Sequence, residues 1–190
     1  MIVQRMEQIA GSIKQGGWDA VCILGPTASG KTRFAVELAR TLSAQWKPCE
    51  ILSADSRQVY RGMDIGTGKD LAEYGEVPVH LVDIVDAGTK YNIFEYQRDF
   101  SKAYTNILER GCFPIICGGS GLYIEAATRG YELYEVLPDE ELRARLEPKP
   151  MGELVQMLKD LKAAKGEKPH NNTDWDTKKR VIRAIEIEMA

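Results

Sequence analysis

The feature that most constrains this chain is a phosphate-binding loop near its N-terminus. Residues 25–32 read GPTASGKT and match the pattern G-x-x-x-x-G-K-[ST] in full. The loop follows the apolar run 20–24, and its last two residues begin a helical pattern that starts at Lys31. A strand, a glycine-rich loop and a helix in this order turn backbone amides and the positive end of the helix dipole towards an anion. The segment therefore predicts a polyphosphate site within an α/β fold.

Each part of this loop has a predicted role. Lys31 is expected to bring a point charge to a di- or triphosphate, and the hydroxyl of Thr32 is expected to bind Mg²⁺. The predicted phosphate-binding residues are Gly25, Pro26, Thr27, Ala28, Ser29, Gly30, Lys31 and Thr32. The motif does not identify which polyphosphate is bound or which group is transferred.

Strand-like and helix-like segments alternate along the first 130 residues. Strands are predicted at 20–24, 50–53, 79–84 and 113–117, and helices at 3–14, 31–44, 92–110 and 122–128. The helix at 92–110 is expected to end at Gly111 and to turn these residues towards the core: Phe94, Phe100, Tyr104, Ile107 and Leu108. This alternation predicts a P-loop NTPase-like parallel sheet with helices on both faces. Because ligands bind such sheets beyond the carboxyl ends of the strands, we expect the loops after the first, second and last of these strands to meet in one cleft.

The chain is expected to have four regions. Residues 1–18 form an N-terminal helical extension and residues 19–130 the P-loop α/β core. Residues 131–172, with several prolines and short charged helices, form a small helical appendage. Residues 173–190 form a helix that returns to the core.

Composition limits the classes of function. The formal net charge of −3 gives no global sign of nucleic-acid binding, so contact with RNA would need a local patch. No apolar run approaches the roughly 20 residues of a membrane helix, and no signal-peptide core is present, so we expect a cytoplasmic protein without a membrane partner. The cysteine and histidine spacing favours neither a zinc site nor a disulfide framework, and Cys22 and Cys117 are expected in the core.

The loop after the second strand is dense in polar residues. Asp55, at the carboxyl end of that strand, could be a general base or a metal-shell ligand, or only a turn aspartate that caps neighbouring amides. Arg57 and Gln58 could read a base edge or hold a phosphate, although solvated loops often carry such residues.

Two further segments are candidates. The glycine-rich turn 118–121 could let the backbone approach a ligand, with Ser120 as a donor, or could be only a tight strand-to-helix turn. Lys179, Arg180 and Arg183 share one helix face, which indicates a weak basic patch or ordinary solvated surface.

Three segments together resemble the tRNA dimethylallyltransferases (isopentenyl transferases). They are GPTASGKT at 25–32, SADSRQVYRGMDIGTGK at 53–69 and GGSGLYI at 118–124. Residues 77–86 and 180–188 resemble further family blocks in the same order. The block at 53–69 is the most specific of these, because ordinary nucleotide kinases lack it.

The resemblance implies transfer of a dimethylallyl group from dimethylallyl diphosphate to N6 of an adenosine beside the tRNA anticodon, with Mg²⁺ as cofactor. It implies that Lys31 binds the diphosphate, that Asp55 accepts the N6 proton or orients the amine, and that Thr27 lines the pocket near the isoprenoid. The stretch 55–58, which includes Ser56, would touch a flipped-out adenosine. Positions that match family contacts to RNA or diphosphate are Ser120, Arg143, Arg180 and Arg183.

The chain also departs from the family pattern. Ser120 stands where threonine is usual, Gly68 where alanine is common, and Arg57 where methionine is frequent. Typical members continue further at the C-terminus. The chain is therefore interpreted as a shortened paralogue, a fragment, or one piece of a split protein whose separate partner chain supplies the rest.

The same residues are compatible with other functions. An adenylate dimethylallyltransferase would prenylate a free nucleotide without an RNA-gripping part. A P-loop small-molecule kinase would use Asp55 as the base for a substrate hydroxyl and 139–147 as a lid that carries arginines. An inactive truncated homologue would bind nucleotide or RNA without turnover.

Overall fold

The computed structural model describes residues 2–26, 28–69, 71–130, 136–166 and 175–190. The chain forms two compact units, Met1–Glu132 and Leu133–Ala190. Within these described ranges no helix is long and apolar enough to cross a membrane.

The first unit is built on a four-stranded parallel sheet. Its strands are β1 (Val21–Leu24), β2 (Cys49–Ala54), β4 (Val79–His80) and β6 (Phe113–Gly118), in the spatial order β1-β6-β2-β4. A separate parallel pair consists of β3 (Tyr60–Arg61) and β5 (Val85–Asp86). Because β2 and β6 lie inside the sheet with both faces covered, every residue of these two strands is buried.

Helices cover both faces of this sheet. They are α1 (Ile2–Gly16), α2 (Lys31–Gln45), α3 (Leu71–Tyr74), α4 (Ile93–Glu109) and α5 (Gly121–Arg129). Successive residues of β2 point to opposite faces, so Ile51 packs with α1 and α2, whereas Leu52 packs with α4 and α5. The predicted α/β fold, with a parallel sheet between two helical layers, is confirmed.

The boundaries of α4 follow from its capping residues. The Asn92 side chain accepts the amides of Phe94 and Glu95, and the Glu95 side chain accepts the amide of Asn92. Gly111, with φ of 73°, ends the segment as expected. Within the helix Leu108 is 44% exposed, so its predicted core position is wrong.

Two other sequence expectations are wrong. The strand predicted at 79–84 ends at His80, because Leu81 and Asp83 adopt left-handed φ values of 66° and 54° that do not continue a strand. Cys22 is exposed rather than in the core, because it lies on β1 at the end of the described sheet.

The second unit is helical. It contains α6 (Glu140–Leu146), α7 (Met151–Ala164) and α8 (Lys178–Met189), and its core includes Leu142, Leu154, Leu158, Val181 and Ile185. The helix interpreted as returning to the α/β core is α8, which packs here against α6 and α7. The four predicted region boundaries, including that return, stay predictions.

Candidate active site

Three strands of the sheet end at the same level. Leu24 of β1 pairs in register with Gly118 of β6, and Gly118 pairs with Ala54 of β2. The next residues, Gly25, Gly119 and Asp55, open the phosphate-binding loop, the second glycine-rich turn and the polar loop. The convergence of these three loops, predicted from the alternation of strands and helices, follows directly from this register.

Glycines permit the close approach of these segments. A Cβ atom on Gly118 would lie 2.1 Å from the carbonyl oxygen of Ala54, a distance that no side chain tolerates. A Cβ atom on Gly119 would lie 3.0 Å from the Gly25 oxygen and 3.7 Å from Lys31 Nζ. The second glycine-rich turn therefore packs against the phosphate-binding loop and the end of β2.

The phosphate-binding loop leads into α2 as predicted. Gly30 has φ of 80° and stands at the N-cap, and the amide of Phe34 donates to its carbonyl at 3.0 Å. Lys31 Nζ donates to the Pro26 carbonyl at 3.2 Å, so the ammonium group stays beside the loop. The first amides of a helix have no partner within the helix, and this is the arrangement that binds phosphate. Thr27 lies outside the described residues.

Thr32 is half-buried in the first turn of α2 and hydrogen-bonds to Tyr74 of α3. Burial raises the pKa of the Tyr74 phenol, and the hydrogen bond to Thr32 opposes that rise. Among the residues that the structure describes, no three acidic, histidine or cysteine side chains gather where they could hold a metal ion. The predicted binding of Mg²⁺ by the Thr32 hydroxyl stays a prediction.

Asp55 is buried and held by its own turn. Its Oδ1 accepts the amide of Arg57 at 3.0 Å, and its carbonyl accepts the amide of Gln58 at 3.2 Å. Ser120 ties this turn to the second glycine-rich turn, because its Oγ accepts the Ser56 amide at 2.9 Å and its own amide donates to Ala54 at 3.1 Å. Asp55 is thus a turn aspartate, and the turn also fixes the direction of its carboxylate.

The charges of Lys31 and Asp55 both act on one thiol, that of Cys117 at the end of β6. Burial raises the pKa of Cys117 to about 11, while Lys31 lowers it and Asp55 raises it. The strand register and the contact of Gly119 with Lys31 place both charged groups near the carboxyl end of β6, where the phosphate-binding loop meets the polar loop.

Gln58 is buried, and its side-chain amide is engaged within the protein. Ser53 Oγ donates to Gln58 Oε1 at 3.0 Å, and Gln58 Nε2 donates to the Gly68 carbonyl at 3.1 Å. These bonds join the start and the end of the 53–69 block. The predicted contact of Gln58 and of the exposed Arg57 with an acceptor stays a prediction.

Sequence reasoning missed two groups at this site. Lys69 is buried, and its ammonium pairs with Asp64 and Asp83. Tyr96 donates to the Ser53 carbonyl at 3.2 Å and stacks on Tyr123 with ring centroids 3.9 Å apart. The only signal for Lys69 was its place at the end of a glycine-rich block, and the two tyrosines stood within predicted helices without a feature that set them apart.

The three predicted arginines of the second unit have acidic partners. Arg143 and Arg183 both donate to Glu186, and Arg180 donates to Asp176 at 3.0 Å. Glu186 has a side chain only 1% exposed. Burial acts to raise its pKa, but the bonds from Arg143, Arg183 and the Asp139 amide outweigh burial and lower the pKa to about 2. Contact of the three arginines with RNA or diphosphate stays a prediction.

Comparisons with known proteins agree on one family. The family model described as IPP transferase matches residues 58–190. The chain is 54% identical over 175 residues to tRNA dimethylallyltransferase 2 of Bacteroides fragilis, covering 90% of this chain and 54% of that protein. It is 39% identical to the crystal structure of the full-length tRNA isopentenylpyrophosphate transferase from Bacillus halodurans, with a TM-score of 0.57, covering 89% of this chain and 55% of that one.

A more distant likeness supports the fold. A eukaryotic dimethylallyltransferase, described as acting on tRNA, has a TM-score of 0.68 at 24% identity and covers 90% of this chain and 41% of that chain. The chain spans about half the length of the curated relatives it matches.

Proposed function

Because this chain belongs to the IPP transferase family, we propose that it transfers a dimethylallyl group from dimethylallyl diphosphate to N6 of an adenosine next to the tRNA anticodon. One observation carries the proposal. The register of Leu24, Gly118 and Ala54 brings a phosphate-binding loop beside a buried carboxylate, so a donor and an acceptor can meet at one sheet edge.

The donor side is assigned to the phosphate-binding loop. As the bond between the allylic carbon and oxygen breaks, its electron pair goes to the diphosphate, and negative charge builds on that leaving group. Lys31 and the amides at the start of α2 would stabilise this charge. The donor set fits Mg²⁺ carried by the diphosphate, with the Thr32 hydroxyl as protein ligand, because Mg²⁺ commonly binds substrate phosphates and few protein oxygens. Bound there, Mg²⁺ would add positive charge beside the diphosphate.

The acceptor side is assigned to the loop that begins at Asp55. N6 of adenine attacks the allylic carbon, a C–N bond forms, and N6 then loses one proton. We assign that proton to the Asp55 carboxylate, whose direction is fixed by the Arg57 amide. Ser120 would keep this turn against the donor site through its bond to the Ser56 amide. Thr27 is assigned to the isoprenoid pocket by family resemblance.

Contacts with tRNA are assigned more broadly. Arg57 and Gln58 would touch the flipped-out adenosine, and Arg143, Arg180 and Arg183 would contact RNA or diphosphate. A cytoplasmic location follows from the proposed acceptor.

The decisive experiment is a transfer assay with the purified 190-residue chain, Mg²⁺ and labelled dimethylallyl diphosphate. Unmodified tRNA and AMP are offered as separate acceptors. Label in tRNA would support the proposal, and label in AMP alone would replace it with nucleotide prenylation. Label in neither, with the donor still bound, would mean that this chain alone does not catalyse transfer, and a separate chain carrying the remaining half of the relatives would then be added.

Substitution of Asp55 tests its assigned role. Asp55→Asn removes the proton acceptor but keeps an oxygen for the Arg57 amide, so we expect transfer to fall at least 100-fold while the donor Kd changes less than twofold. Asp160→Asn, at an exposed position of α7, is the matched control and should leave both quantities unchanged. Turnover of Asp55→Asn at the wild-type rate would contradict the assignment.

A further inference from the structure

Lys69 has an unusual environment for a lysine. Its side chain is only 1% exposed, although lysines are rarely buried without partners. Its ammonium group donates to Asp83 and to the Tyr60 carbonyl at 2.8 Å, and it lies 2.7 Å from Asp64. Burial acts to lower the pKa of Lys69, but the hydrogen bonds to Asp64 and Asp83 raise it overall, so the group stays charged.

These three partners come from two segments of the unit. Tyr60 is in β3, Asp64 is in the loop that follows β3, and Asp83 precedes β5. The side chains of Asp64 and Asp83 are 65% and 29% exposed, so both can take up water if the ammonium group is removed. One buried cation therefore joins the segment 60–69 to the segment that contains Asp83.

The segment that contains Asp83 holds the acceptor-side loop through its backbone. The amide of Asp83 donates to the Gln58 carbonyl at 3.0 Å, and the amides of Ile84 and Val85 donate to Val59 at 2.9 Å and 3.0 Å. Asp83 forms these bonds in the left-handed conformation, with φ of 54°, which is unfavourable for a residue other than glycine. An ion pair to its side chain is a direct means of keeping it there.

We propose that Lys69 is the positioning residue for the acceptor-side loop of 55–59: by fixing Asp83 it holds the Gln58–Val59 backbone, and with it the turn that directs the Asp55 carboxylate. The inference deepens the proposed function and rests on it for the identity of the acceptor. The phosphate-binding loop belongs to a different segment, so loss of Lys69 should impair the acceptor and spare the donor.

The kinetic test compares Lys69→Met with a matched control. Lys69→Met keeps the length of the buried stem and removes the charge, so we expect kcat/KM for tRNA to fall at least tenfold while the Kd for dimethylallyl diphosphate stays within twofold. Lys69→Arg, which keeps a cation, should recover part of the loss. Arg129→Met breaks an exposed ion pair to Glu125 within α5 of the same unit and should leave both quantities within twofold of wild type. Equal loss of donor and acceptor binding in Lys69→Met would overturn the inference in favour of a general folding role.

Hydrogen exchange tests the same inference without turnover, so that it is decided even if the proposed function fails. In Lys69→Met, the amides of Arg57, Asp83, Ile84 and Val85 should exchange at least tenfold faster, while those of the buried part of α2 keep their wild-type rates. Arg129→Met should change neither group. Unchanged exchange at these amides in Lys69→Met would overturn the inference, whatever the transfer assay shows.

Discussion

Replacement of Gly118 by alanine tests whether β1, β6 and β2 can end at the same level only because residue 118 has no side chain. The added methyl group would lie 2.1 Å from the Ala54 oxygen and 2.4 Å from its carbonyl carbon. Ordinary contacts between carbon and oxygen begin at about 3.3 Å, so β2 and β6 would have to separate by about 1 Å at this point. Gly121→Ala is the matched control, because nothing lies within 4 Å of a Cβ atom there.

The expected loss of stability has two parts. Overpacking of a buried site costs about 1–3 kcal/mol. Separation would also stretch the 3.1 Å bond from the Ser120 amide to Ala54 beyond useful range, a further loss of about 1 kcal/mol. Alanine in place of glycine returns roughly 0.5–1 kcal/mol through the unfolded chain. The net expectation is a loss of about 1–3.5 kcal/mol, or roughly 3–10 °C in Tm at about 3 °C per kcal/mol for a protein of this size.

Tryptophan fluorescence can measure this loss of stability in the α/β unit, which contains Gly118. The ring of Trp46 lies 5.2 Å from that of Phe113 at the start of β6, so Trp46 reports on this sheet. Trp18→Phe and Trp175→Phe provide a background in which Trp46 is the only tryptophan, and urea unfolding is then followed for both alanine variants. A midpoint for Gly118→Ala within error of Gly121→Ala would refute the steric argument.

The remaining predictions concern charged groups. Lys31→Ala should weaken dimethylallyl diphosphate binding by about 1.5–3 kcal/mol, measured by calorimetry, and an unchanged Kd would show that the loop is not the donor site. Arg110, with a smaller contribution from His80, lowers the pKa of buried Glu50 to about 2. Because that pKa is lower in the folded than in the unfolded state, the stabilisation is complete above pH 4.5, amounts to about 3 kcal/mol, and is lost as the pH falls from 4.5 towards 2. When the free energy of unfolding is measured as a function of pH, Glu50→Gln should reduce the loss of stability of the α/β unit at acid pH. Glu186→Gln should do the same for the helical unit. An unchanged loss of stability at acid pH would contradict both assignments.

The parts of the fold that follow from local sequence were predictable. The phosphate-binding loop combines its pattern with a preceding strand and a following helix, and the resulting alternation is sufficient to predict parallel strands whose loops converge. The position of Asp55 one residue beyond β2 then follows, because the strand ends are level. The end of α4 at Gly111 was predictable for the same kind of reason, because the residue after a helix often takes a left-handed conformation that favours glycine.

Other parts depend on contacts that sequence spacing does not reveal. The residues 79–84 alternate like a strand, yet Leu81 and Asp83 take left-handed conformations, because the backbone there bonds to Gln58 and Val59. Lys69 looks like a surface lysine until Asp83 is brought to it from another segment. Cys22 lies in an apolar run, and only the order of strands in space puts it at an exposed position.

The spatial order of the strands also determines when the sheet can be assembled during translation. β6 lies between β1 and β2 although it is synthesised after both. At roughly 5–20 residues per second, the ribosome needs several seconds to go from β1 to β6. Once β2 has been synthesised, the nascent chain carries two apolar strands whose common neighbour β6 has not yet been made. Synonymous changes that slow translation between residues 60 and 112 would prolong this exposure, so codon usage in that stretch bears directly on the yield of folded protein.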